Sequence, residues 1–167
     1  MATVQFLIVM PKVPSHLVVD LSNVEMESLL TDWGWLVGDD KRPILVAASG
    51  DVFLTDDGGK VYWLETGGGK FTQVASSVAE FEVALIQEAN QIEWLLAPVI
   101  ESLRSDGVQL ASGQCYGYRT LPVLGGAYDG ENRFPVSAHK HVGFTGYVHN
   151  KIKNLPDGTK VSLKWTG

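Results

Sequence analysis

The sequence predicts an α+β protein built around an antiparallel sheet, and three observations point there. The stretch from Ser49 to Ala75, SGDVFLTDDGGKVYWLETGGGKFTQVA, reads as three short strands joined by two glycine turns. Both faces of that meander are apolar, which marks the covered centre of a sheet. Helical stripes lie on either side of it along the chain. The expected architecture is an antiparallel sheet centred on a meander at about 44–75, packed with three to four helices.

In chain order, Val4 to Met10 reads as a strand ended by Pro11. Asn23 can cap a helix from Val24 to about Val37, with Met26, Leu29, Leu30 and Trp33 on one stripe and Gly38 as its stop. A polar link of Asp39, Asp40, Lys41, Arg42 and Pro43 leads into a strand from Ile44 to Ala48. In the meander, Asp57-Gly58 and Gly67-Gly68 supply the positive-φ residues of tight hairpins. The first turn then pairs Thr55 with Lys60, Leu54 with Val61, Phe53 with Tyr62 and Val52 with Trp63. That register puts Val52, Leu54, Val61 and Trp63 on one face, and Phe53, Tyr62 and Leu64 on the other.

Ser77 with Glu80 forms a capping box opening a second helix. Asn90 is the expected cap of a third helix to about Ser105, in which Pro98 makes a kink or sits in the first turn. Glycines and aromatics alternate from Gln109 to Asp129, as in a packed loop or short edge strands. Phe134 to Ala138 is expected to return to the sheet. A last helix spans His139 to Asn154, and Val161 to Trp165 is a closing strand.

A length of 167 residues fits one domain over 1–167, with no linker, repeat or low-complexity run. The net charge of −6 argues against a nucleic-acid surface, which needs an excess of Lys and Arg, and suits a basic partner. The single cysteine, Cys115, allows no internal disulfide and fits a reducing compartment. The apolar run VQFLIVM has no basic segment before it and falls well short of the roughly 20 residues of a membrane helix. A soluble, cytoplasmic protein is expected.

Candidate chemistry fails on spacing. TGGGKFT has Phe71 where a phosphate loop needs a hydroxyl. A calcium-loop alignment over the acidic turn puts Leu54 at the first ligand position. His139, His141 and His149 lack the further converging ligands that zinc needs, so hydrogen-bonded histidines are expected. Cys115 has no cation nearer in sequence than Arg119 and reads as a small buried residue. No spacing singles out an acid–base pair, so no catalytic, metal or cofactor site is expected.

Several stretches together resemble a known bacterial family. They are DWGWL at 32–36, the segment 49–82, EWLL at 93–96, GQCYGYRTLPVLGGAYDGEN at 113–132 and LPDGTK at 155–160. The pattern is similar to the C-terminal domain of type VI secretion DNase-effector immunity proteins, which in some members follows a GAD-like domain. The resemblance runs from about residue 30 to 160, and the segment before it is too short for a GAD-like domain.

The resemblance implies a non-enzymatic protein that neutralises a cognate toxin, a nuclease effector, by direct binding. It carries no catalytic residues onto this chain. An acidic protein occluding a basic nuclease would use exposed acids and an aromatic anchor. The candidates are Asp39, Asp40, Asp56, Asp57, Asp129 and Glu131, with Tyr128 as anchor. The alternatives are a ligand-binding or scaffolding module using segment 113–130 as a pocket, and an enzyme using Cys115 with a histidine.

Overall fold

A computed structural model describes residues 13–164. The expected strand at Val4 to Met10 lies outside the described residues. Two 3-10 turns come first, Ser15–Leu17 and Thr31–Trp33, the second running into a single α turn, α1 (Gly34–Val37). The long helix expected from Val24 is therefore not formed, and residues 24–30 are turns and irregular backbone. Local polar bonds compete with it, Ser22 N–H to Asp20 at 3.0 Å and the Ser28 hydroxyl with His139 at 2.7 Å. Gly38, at φ +79°, stops α1 as expected.

Four strands follow, β1 (Arg42–Val46), β2 (Val52–Thr55), β3 (Val61–Glu65) and β4 (Lys70–Ala75). They form an antiparallel sheet in chain order. The register differs by one residue from the expected one: Thr55 faces Val61, Leu54 faces Tyr62, Phe53 faces Trp63 and Val52 faces Leu64. The cause lies in the turn. Lys60 stays in the loop, where its carbonyl accepts from Asp56 N–H, and the positive φ falls at Gly59 rather than Gly58. The second hairpin likewise places its positive φ at Gly69.

A one-residue slip exchanges the faces of one strand against the other. Phe53, Trp63 and Val61 now share one face, and Val52, Leu54 and Leu64 the other. Both faces are covered, as the apolar pattern requires. Helices α2 (Val78–Leu85), α3 (Glu88–Leu95) and α4 (Ala97–Ser105) cover the first face. There Phe53, Phe81 and Trp94 pack with ring centroids 5.0–6.0 Å apart. Ser77 caps α2 by accepting from Glu80 N–H.

The expected third helix is split in two. Pro98, in the first turn of α4, cannot donate to the carbonyl of Trp94, and Leu96 takes up the break at φ +50°.

A two-stranded ribbon, β5 (Gln114–Tyr118) with β6 (Arg133–Ser137), is separate from the main sheet. The segment around Phe134 thus pairs with β5 instead of extending the meander. Helix α5 (Ala138–Ile152) covers the second sheet face together with residues 31–37. Trp33 is fully buried between them and donates its indole N–H to the Val142 carbonyl at 2.8 Å. Gly146 permits this approach, since a Cβ there would lie 2.7 Å from the Asp32 carbonyl oxygen. Residues 161–164 are exposed and irregular, so within the described residues the expected closing strand is not formed. Apolar composition alone makes no strand without an edge to pair with.

Candidate functional site

The turn between β1 and β2, Ala47 to Gly50, aims a carboxylate inward. Gly50 takes φ +96°, and Gly50 N–H bonds the Ala47 carbonyl at 2.8 Å. From the first residue after this turn, Asp51 reaches Thr66 beyond the end of β3. One carboxylate oxygen accepts from Thr66 N–H (2.9 Å) and lies 3.1 Å from the Thr66 hydroxyl; the other accepts from the Trp63 indole N–H (3.0 Å). Two histidines of α5, eight residues apart, converge on the same threonine. His141 Nε2 lies 3.0 Å from the Thr66 hydroxyl, and His149 Nε2 donates to the Thr66 carbonyl at 3.1 Å. The histidines are thus hydrogen-bonded and structural. Among the described residues no group of three or more His, Cys, Asp or Glu is placed to hold a metal ion.

Behind this network lies a buried cation, Arg133, only 2% exposed. Its Nη1 donates to the carbonyls of Ser49 (2.8 Å) and Tyr116 (3.2 Å). Nε and Nη2 donate to the Tyr128 carbonyl at 3.3 and 3.2 Å. The guanidinium carbon lies 3.9 Å from the Tyr118 ring centroid. This one side chain ties the ribbon, the β1–β2 turn and the 119–132 loop together.

The environment sets the charges. Burial, reinforced by the charge of Glu65, pushes the Asp51 carboxyl up to about 7 against its hydrogen bonds and Arg133. Burial, then the Arg133 charge, holds His141 down to about 3, and burial also lowers His149. Cys115 is fully buried, and burial pushes its thiol up to about 12, so it is protonated and unreactive at neutral pH.

A raised carboxyl pKa makes a pH prediction. The folded protein holds the Asp51 proton up to about pH 7, while the unfolded chain loses it near pH 4. Its contribution is fully present below about pH 4 and is lost as pH rises through 7. Urea denaturation should therefore show Asp51→Asn costing about 2–3 kcal/mol more at pH 5 than at pH 8. Equal costs at the two pH values would refute the assignment.

A cleft of about 530 Å³ opens beside Asp51. Asp51, Glu65 and Glu93 supply its carboxylates, with Trp63, Trp94 and Tyr128 as aromatic lining. Both Glu65 oxygens lie 3.0 Å from Gly68 N, and one lies 3.4 Å from the Tyr128 hydroxyl. Burial, then Glu65, raises the Tyr128 phenol to about 12. Leu96, the left-handed residue between α3 and α4, also lines the cleft, in a conformation that costs about 1–2 kcal/mol outside glycine.

The residues expected at a partner surface form two groups. Asp40 and Asp56 meet at the turn end of β2 and β3, close enough for the charge of Asp56 to act on Asp40. Asp40 pairs with Lys41 at 3.0 Å, and Asp57 with Arg42 at 3.0 Å. Asp56 accepts from the Tyr62 hydroxyl at 2.9 Å and Lys60 N–H at 3.0 Å. Burial pushes the Asp56 carboxyl up, but these bonds outweigh it and the net direction is down. Asp39 is exposed beside them.

Tyr128, Asp129 and Glu131 sit at the other end of β3. Tyr128 reaches Glu65, Asp129 caps the 3-10 turn Gly130–Asn132, and Glu131 is exposed. The four steps along β3 from Val61 to Glu65, at about 3.4 Å each, put roughly 14 Å between the groups. Arg133, Glu65, Thr66 and the tryptophan pair were missed from sequence. The available signal was a lone arginine beside an apolar strand, which a core can accept only with several acceptors around it.

Residues 75–149 match the family described as T6SS immunity protein Tdi1, C-terminal. The matched part contains the 93–96 and 113–132 motifs and begins where the meander ends. No curated protein matches the sequence. Among solved structures, the chain resembles the crystal structure of Atu4351 from Agrobacterium tumefaciens, with a TM-score of 0.54 and 17% identity over 72% of this chain. The alignment spans 63% of that protein's length, and the likeness is one of α+β fold.

Proposed function

We propose, from the match of residues 75–149 to the family of the T6SS immunity protein Tdi1, that this chain neutralises a cognate antibacterial toxin by direct binding in the cytoplasm, without catalysis. That family match is the observation that carries the immunity role; that the toxin is a nuclease rests on the motif resemblance alone. The net charge of −6 supports a basic partner. The buried, protonated Cys115 and the fully packed His141 support a binding role over a cysteine-dependent one. Among the described residues no helix is long and apolar enough to cross a membrane.

Of the two acidic surfaces, the end with Tyr128, Asp129 and Glu131 is the better contact. It borders the aromatic cleft, whereas Asp40 and Asp57 are already ion-paired with Lys41 and Arg42. Co-expression with the protein encoded beside it tests the reading. Protection of the host and a one-to-one complex are expected; absence of both would end it.

A second reading, a small-molecule module, is favoured by a cleft of about 780 Å³ beside Tyr118, Leu121, Phe134 and Phe144. It predicts a rise in melting temperature with a compound that occupies that cleft.

A further inference from the structure

We infer that the cleft between Glu65, Trp63, Trp94 and Tyr128 is a cation-recognition site that seats one basic side chain, arginine or lysine, of the protein partner. The inference deepens the binding role proposed above and rests on it. Three kinds of observation carry it. The cleft is a built cavity of about 530 Å³, of the size that holds a side chain or small ligand. Its lining joins two tryptophans and a tyrosine to carboxylates, the combination that attracts a cation through ring faces and Coulomb force together.

Its lining also sets three carboxylates, Asp51, Glu65 and Glu93, against a single cation, Lys70. Asp51 is 4% exposed and lies near enough to Glu65 for the two like charges to disfavour each other. The nearest buried cation, Arg133, is committed to the carbonyls of Ser49, Tyr116 and Tyr128 and does not line the cleft. Lys70 lines it from an exposed position, with a flexible stem that can swing aside. An incoming cation would relieve the Asp51–Glu65 repulsion and would stack on aromatic surface. Arginine, planar and weakly hydrated, suits such a site best.

The test uses N-acetyl-arginine methylamide as probe and the Trp63 indole N–H resonance as readout, since that proton is bonded to Asp51. A saturable shift is expected with the arginine probe and none with its neutral citrulline analogue. Glu65→Gln should weaken probe binding about tenfold, and Tyr128→Leu, at an exposed position, should weaken it without unfolding the protein. No shift, or equal shifts with the two probes, overturns the site.

A second arm measures the complex with the neighbour-encoded protein. About tenfold weaker binding by Glu65→Gln is expected. If the wild type binds that protein and Glu65→Gln binds it equally well, the cleft assignment falls and the immunity reading stands. If the wild type does not bind it, the immunity reading falls, and the assignment to a partner side chain with it.

Discussion

Arg133→Met is expected to lower the unfolding free energy by about 3–5 kcal/mol, measured by urea denaturation at pH 7.5. Methionine keeps most of the apolar stem but removes every donor. The carbonyls of Ser49 and Tyr116 lose Nη1, and the Tyr128 carbonyl loses both of its guanidinium donors. Buried acceptors left without a partner cost about 1–3 kcal/mol each, and neighbouring sites are not additive. Asp51 also loses its nearest counter-charge, which pushes its carboxyl further up. Arg133→Lys keeps the charge but cannot reach three carbonyls at once, so it should lie between the two. A loss below about 1 kcal/mol in the methionine variant would show that this hub does not hold the ribbon to the sheet.

Gly50→Ala is expected to cost at least about 3 kcal/mol, from two separate causes. The backbone at Gly50 stands at φ +96°, which an L residue adopts at a cost of about 1–2 kcal/mol. A Cβ there would also lie 2.4 Å from His141 Nε2, and His141 is held by Thr66 and cannot retreat without breaking the network. Gly59→Ala separates the causes. Its φ is +84°, but the space around it is open, so only the backbone cost of about 1–2 kcal/mol should appear. Equal losses at the two positions would remove His141 as the source of the excess.

Much of the fold was legible because hydrophobic periodicity is a local record of burial. The strands of the meander, the Ser77 cap and the last helix all follow from spacing within about a dozen residues. The hairpin register was not legible, because it turned on which of two adjacent glycines took the positive φ, and either has the needed freedom. The helix expected from Val24 shows the converse. Its apolar stripe is real, but Trp33 and Leu29 serve the second core from turns, where contacts with α5 outweigh helical propensity.

The acidic residues around Asp56 and Tyr128 were readable as exposed loop acids. Their division between two ends of β3 was not, since loops 60 or more residues apart meet only in the folded chain. By itself, the sequence determined the α+β class, the doubly covered meander, the failed phosphate, calcium and zinc spacings and the family likeness. Each of these depends on residue type and short-range spacing.

Tertiary structure alone decided that Asp51, Thr66 and His141 form one buried network with Arg133 behind it, and that Glu65 faces a cleft with Trp63, Trp94 and Tyr128. A buried charge is tolerable only where partners from distant segments surround it, and no local pattern records that convergence.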